Sequence, residues 1–331
     1  MRKAEKELYT AEKSEFKIIL HYASDFYYNL FKNKITANCI LVFIVFSLIL
    51  SIFDITGIFT WRRLFTVTNL VDGVKPVNSN FAVYFLDVGQ SDCTIVQCDN
   101  EILMIDVGTK NQVYNIRKSL YTLDINSIDY MVVTHQHDDH MSGAAEIIEH
   151  YDVANIMMPK LSSMNAVNSL TYKDLINKIG EYDVNPIAIE AGYTFKVGSA
   201  LVEVLSPIKQ DKELNNMSTV LKITYGDTSF LFQGDSEQKV ENQLINLEYD
   251  VSADVLKVGH HGSNTSTSEM YLNEVNPDFA IISCGPDNNY GHPTHGIIDK
   301  LENREVETYI TSLQGNITAI SDGKTVSIIT E

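Results

Sequence analysis

Residues 134–143 read THQHDDHMSG, and this short segment carries most of the chemistry the chain can offer. It sets His135, His137, Asp139 and His140 within six positions. Imidazole nitrogen and carboxylate oxygen are good ligands for Zn, Mn or Fe. The spacing can serve two ions, His135 and His137 on one, Asp139 and His140 on the other. A histidine-rich polar loop without metal is the plain alternative. Three histidines and two aspartates directly after an apolar strand argue against it.

Three later segments can add to this set. Phe230–Asp235 reads FLFQGD, a strand ending in a carboxylate, and Asp235 can bridge two metals. Asp254–Ser263 reads DVLKVGHHGS, a strand ending in His260 and His261, one of which can complete the second metal. Asn289–Pro293 reads NYGHP, where His292 sits on a turn and can meet substrate or donate a proton. Each is a common feature taken singly and gains meaning beside the first.

The elements that must position these residues are legible as short apolar or alternating runs punctuated by Gly, Asp and Asn. FAVYFLDVG, CTIVQCD, EILMIDVG and DYMVVTH form one set of strands; ALVEVLSP, STVLKITYG, TSFLFQGD, DVLKVGHHG and DFAIISCG form another. Helical stretches are expected around Tyr114–Tyr121 and near Glu237–Asn246. Two sets of strands with helices between them predict two sheets packed face to face with helices outside.

At 331 residues, 44% hydrophobic and 21% charged, the chain has an ordinary globular composition. Its charge is uneven. Residues 1–79 hold 10 Lys/Arg and 7 Asp/Glu, whereas residues 80–331 hold 15 and 36. A long polyphosphate partner needs a basic stripe, so an anionic substrate here must be drawn in locally, most simply by bound cations. The cysteines, Cys39, Cys93, Cys98 and Cys284, have no zinc-like spacing and read as small buried hydrophobes.

The N-terminal quarter has a different character. Residues 1–34 are polar and mixed in charge. From Ile35 to Phe59 the 25 residues are broken only by Asp54, enough for a membrane helix. Trp61, Arg62 and Arg63 resemble an interfacial anchor, and residues 60–79 read as a linker ahead of a domain over 80–331. The basic residues flanking the run tie locally. The seven in the lead segment favour an internal N-terminus and an external catalytic domain on a single-pass anchor.

The order HxHxDH, strand-end Asp, strand-end His resembles the metallo-β-lactamase superfamily over roughly residues 80–331. A narrower likeness rests on six motifs in series: FLDVGQSD from Phe85, MIDVG at 104–108, NNMSTVL at 215–221, FQGD, LKVGHHGS and NYGHP. Together they resemble the metal-hydrolase domain of ComEC-type DNA-uptake competence proteins. The resemblance implies an αββα sandwich, here preceded by the one N-terminal transmembrane helix. His135 and His137 would bind one metal; Asp139, His140 and one of His260 or His261 the other; Asp235 would bridge. It also implies that Asp87, Asp92 and Asp106 orient metal-bound histidines from strand ends. Many superfamily members carry a further His ligand where this chain has Asn215 and Asn216, so Asn216 is expected beside the first metal rather than on it. Full ComEC proteins carry many membrane helices that form a DNA channel; one candidate helix carries over the hydrolase likeness and not DNA transport.

The leading expectation is a metal-dependent phosphodiesterase or nuclease using a hydroxide activated by two divalent ions, Zn or Mn, with Asp139 as ligand and orienting group and His292 as a second catalytic residue. Its substrate is expected to be a phosphodiester, including short or single-stranded nucleic acid; the sequence implies no protein partner. The alternatives are a hydrolase of an ester, lactone, lactam or phosphorylcholine-like group on the same fold, or a tethered binding module without turnover.

Overall fold

The computed structural model describes residues 34–55, 73–160 and 169–331. The chain divides into two compact units, Met1–Leu70 and Val71–Glu331. In the first, a helix runs over Lys34–Ile55, and its described side chains are those of residues 38–49. Leu41 through Phe46, Leu48 and Ile49 are all exposed, so over these described residues apolar side chains face outward all round the helix. Among the described residues, no helix is long and apolar enough to cross a membrane. The expected span over 35–59 extends at its C-terminal end beyond the described residues, as do the polar segment before Lys34 and most of the linker.

In the second unit, fifteen strands among the described residues form two sheets. The first sheet holds β1 (Phe81–Phe85), β2 (Thr94–Cys98), β3 (Glu101–Ile105), β4 (Ser127–Val132), β5 (Asp152–Pro159), β6 (Asn185–Ile189), β14 (Ile317–Ser321) and β15 (Val326–Thr330), in the order β15-β14-β1-β2-β3-β4-β5-β6. The second holds β7 (Thr194–Val197), β8 (Ala200–Ser206), β9 (Val220–Tyr225), β10 (Thr228–Phe232), β11 (Val255–Lys257), β12 (Phe279–Ile282) and β13 (Glu307–Ile310), in the order β13-β12-β11-β10-β9-β8-β7.

Period-two alternation explains the layering. Phe81, Val83 and Phe85 of β1 point into a core between the sheets, while Ala82 and Tyr84 point into an outer core beneath the helix Val113–Thr122. Across the inner layer the Phe81 ring stacks on Tyr225 at 4.7 Å, and Phe85 on Phe232 at 6.0 Å. A third core packs the helices Gln238–Asn246, Glu269–Val275 and His295–Glu302 on the far face of the second sheet. Three apolar cores between four layers of secondary structure, two of sheet and two of helix, make an αββα sandwich. Val74 is buried in the first outer core and Val77 packs against it, so the unit takes in residues ahead of position 80.

Each sheet has a parallel half. β3, β4, β5 and β6 run parallel, as do β10, β11, β12 and β13. In open α/β sheets the carboxyl ends of parallel strands are where ligand sites form, and every histidine and aspartate singled out for the two-metal set lies just past such an end.

Candidate metal centre

The first wall of the site follows β4. Its main chain is fixed on both sides: Thr219 N donates to Thr134 O at 2.9 Å, and Val107 N donates to His140 O at 2.8 Å. Asp106, one residue past β3, accepts from Thr134 N and Thr134 Oγ1, each at 2.7 Å, and lies 2.7 Å from His140 Nδ1. That contact orients the His140 ring and turns Nε2 inward. Gly143 closes the segment: a Cβ there would lie 2.2 Å from the Val107 carbonyl oxygen, so only glycine lets the two segments approach.

The second wall follows β10 and β11. Asp235 comes two residues beyond Gln233 on a tight turn, and His260 N donates to Gly234 O at 2.9 Å. His260 and His261 both hold positive φ, 51° and 54°. Two consecutive non-glycine residues in that region cost about 1–3 kcal/mol each and occur where surrounding structure over-determines them. His261 Nδ1 is 2.9 Å from Ser283 O, just past β12, so it donates there and Nε2 is the ring nitrogen turned to the cluster.

The two walls meet in one cluster. His135, His137 and Asp235 form one group able to hold a metal ion, and Asp139, His140 and His261 form another. Asp235 is 2% exposed and touches both: its oxygens lie 3.8 Å from His135 Nε2, 3.4 Å from His140 Nε2 and 3.9 Å from His261 Nε2. His140 Nε2, His261 Nε2 and Asp235 Oδ1 are buried without a hydrogen-bond partner. Leaving such atoms unpaired is costly, and divalent cations fit them. Burial and the charge of His140 hold His135 well below the ordinary imidazole range, which keeps a neutral nitrogen available to a cation. Burial opposes ionisation of Asp235, but His140 and His261 outweigh it and keep Asp235 a carboxylate.

Other expected residues fall in different places. His260 stays at the rim, its Nε2 3.7 Å from Asp235 and its Nδ1 3.1 Å from Thr265 Oγ1. Of the two neighbours, His261 is the one in a metal-competent group. Asp87 departs from its expected place: it is exposed, and its carboxylate accepts from Gly89 N at 3.2 Å, capping its own turn. Asp92 lies 3.9 Å from His261 Nδ1, whose proton goes to Ser283, and pairs instead with Lys257, Nζ lying 2.9 and 3.0 Å from its two oxygens. Both are buried; burial opposes ionisation of Asp92, but Lys257 together with His261 and His140 outweighs it and holds Asp92 below the usual carboxylate range. Asn216 is buried, with Nδ2 3.3 Å from Glu237. His292 lines the cleft above the cluster, where burial and the nearby His260 keep it below the ordinary imidazole range.

Sequence reasoning missed Lys257 and Glu241. Glu241, fully buried, accepts from Gln233 Nε2 at 2.5 Å, from Ser268 N at 2.9 Å and from Thr267 N. Thr267 Oγ1 in turn donates to Gln233 Oε1 at 3.0 Å. A lysine inside the apolar strand LKV was the available signal for the first; a glutamate on an amphipathic helix gave none for the second.

The match to the family model for the metallo-beta-lactamase superfamily covers residues 86–285, more than half the chain. The chain belongs to that superfamily. Within it the likeness is to the ComEC-type group. ComE operon protein 3 of Bacillus subtilis is 28% identical over 260 residues, covering 73% of this chain and 33% of that protein. Competence protein ComA of Neisseria gonorrhoeae is 28% identical over 243 residues, covering 71% and 31%. The chain thus spans about a third of the length of these relatives. Among solved structures, CmlA, a diiron β-hydroxylase from Streptomyces venezuelae, is similar with a TM-score of 0.51 at 14% identity, covering 78% of this chain and 55% of that one, a likeness of fold. The protein is therefore a metallo-beta-lactamase-fold metal hydrolase related to competence proteins, with residue groups suited to divalent metal.

Proposed function

We propose that the chain is a phosphodiesterase or nuclease that works with two divalent ions, Zn or Mn, held across the seam between the sheets. The observation that carries this reading is Asp235, a buried carboxylate within 3.9 Å of ring nitrogens from both metal-competent groups. His135, His137 and Asp235 would hold one ion and Asp139, His140 and His261 another, and when bound the pair would supply Lewis-acid charge to a phosphoryl group and acidify a water. Asp139 has a third of its side chain open to the cleft and accepts a hydrogen bond from the incoming nucleophile. His292 contacts the substrate from the opposite side of the cleft.

The acidic unit argues for a small grip on substrate, a short or single-stranded nucleic acid or a small phosphodiester, since several duplex phosphates need matching Lys and Arg. Residues 35–59 serve, in the same reading, as a single-pass membrane anchor with the catalytic unit outside. The support is the exposed apolar surface of the helix Lys34–Ile55 and the basic lead segment.

Purified full chain should contain two ions and turn over bis-p-nitrophenyl phosphate and a short single-stranded DNA, and leave a lactam intact. Turnover of an ester, lactone or lactam with no diester cleavage would overturn the reading. Asp235→Asn should lose at least one ion; metal analysis finding both retained removes the bridging role. Full chain should stay in membranes through alkaline carbonate washing, while a form starting at Val71 should be soluble. Full chain in the soluble fraction without detergent contradicts the anchor, and protease added to intact cells reports the side.

A further inference from the structure

Above the metal cluster, three rings lie in series. The His261 ring is 6.4 Å from His292 with 23° between planes, and His292 is 5.7 Å from Tyr290 at 24°. The inner ring belongs to a metal-competent group and the outer one is 72% exposed. The series is built rather than incidental. Asn288 Oδ1 accepts from Tyr290 N at 3.2 Å and from His292 N at 3.0 Å, while its Nδ2 donates to Gly285 O at 3.0 Å and to His292 O at 2.5 Å. Gly285 N is tied to Gln90 Oε1 at 3.0 Å, and a Cβ at Gly285 would sit 2.7 Å from Gln90 N, so the loop is seated against the connection between β1 and β2.

The cleft these rings border, about 550 Å³, is lined by Asp138, Asp139 and Asp235 together with histidines and polar residues, and among the described residues by no Lys or Arg. Among the described residues its lining therefore offers an anionic substrate no lysine or arginine to pair with. What it does offer is an aromatic face, and stacking on such a face is worth about 1–3 kcal/mol per base.

We propose that Tyr290 is a specificity-determining residue that receives a planar aromatic ring, a nucleobase, from a unit flanking the scissile phosphodiester. This rests on the phosphodiesterase reading above. Tyr290 stands two rings out from the cluster, so the ring it takes is not the ester's own leaving group but a neighbour along the strand. Selectivity for oligonucleotides then comes from stacking and is nearly independent of salt.

The test uses metal-loaded full chain, as the native protein and as Tyr290→Ala, Tyr290→Phe and Tyr290→Trp, on a single-stranded tetranucleotide, the same tetranucleotide with abasic flanking units, and bis-p-nitrophenyl phosphate. For Tyr290→Ala the ratio of kcat/KM between tetranucleotide and bis-p-nitrophenyl phosphate should fall about 5- to 150-fold, chiefly through KM. Phe and Trp should restore it, and the abasic substrate should be cleaved by the native protein no more selectively than the normal one is by the alanine variant. An equal loss on all substrates, or an unchanged ratio, overturns the stacking role while leaving the phosphodiesterase reading intact. Native protein that cleaves no diester overturns both. A tetranucleotide KM that rises steeply with salt would show phosphate contacts in place of stacking.

Discussion

The two walls of the cleft are held by different means. On the first, the segment His135–His140 is registered mainly through main chain: Thr219 N to Thr134 O, Val107 N to His140 O and Asp92 N to Asp139 O. On the second, the spacing between Asp235 and His261 depends on buried side chains, Gln233, Glu241 and Thr267 on one flank and Lys257 paired with Asp92 on the other. Main-chain bonds survive a change of side chain; a buried polar network does not, because each deletion strands a partner. The second wall should therefore be the fragile one.

The largest effect is expected at Lys257. Lys257→Met leaves the Asp92 carboxylate buried and unpaired, a loss of about 3–5 kcal/mol by analogy with broken buried pairs. Adding Asp92→Leu should recover most of it. Chemical denaturation of the two variants decides this: a double variant as unstable as the single one would show that the pair is not the source. Next comes Glu241→Gln, which turns an amide N–H toward donors that now meet a carboxylate, at a cost of about 1–3 kcal/mol. Zinc or manganese titration should show weaker binding alongside the lower unfolding midpoint. An unaltered metal affinity in this variant would mean that Asp235 and His261 are placed without the network.

The smallest effect is expected on the first wall. Thr134→Val removes one of the hydrogen bonds to Asp106 yet keeps the main-chain one at 2.7 Å. The loss should be about 1 kcal/mol, read from the same denaturation curves. A loss as large as that of Glu241→Gln would erase the contrast between the walls.

The same contrast explains what could be read from sequence. The first wall is local: four of its residues fall within six positions after an apolar strand, and the αββα layering follows from alternation such as Phe81, Val83 and Phe85 against Ala82 and Tyr84. Asp235 was legible because it ends a strand in FQGD. The choice between His260 and His261 was not, since it turns on a pair of left-handed backbone conformations that adjacent identical residues do not disclose. Asp87 and Asp92 look alike as strand-end aspartates; which of them faces inward depends on Lys257, 165 positions from Asp92 in the chain. Glu241 was hidden because two of its three donors are main-chain N–H groups, of Thr267 and Ser268, which carry no sequence signature, and the third is Gln233 on another element.

The position of the cluster at the seam has a consequence for the chain as a polymer. Its ligand atoms come from segments far apart in sequence and from both sheets. An ion held by His135 and Asp235 would close a loop of about 100 residues, and by the chain-entropy model a covalent link of roughly that length is worth about 4–5 kcal/mol. The described domain cysteines, Cys93, Cys98 and Cys284, are free and buried. A metal pair at the seam would thus act where a disulfide does in other proteins, as a cross-link that can be undone with a chelator and remade, so that loss of the ions would loosen one half of the sandwich from the other.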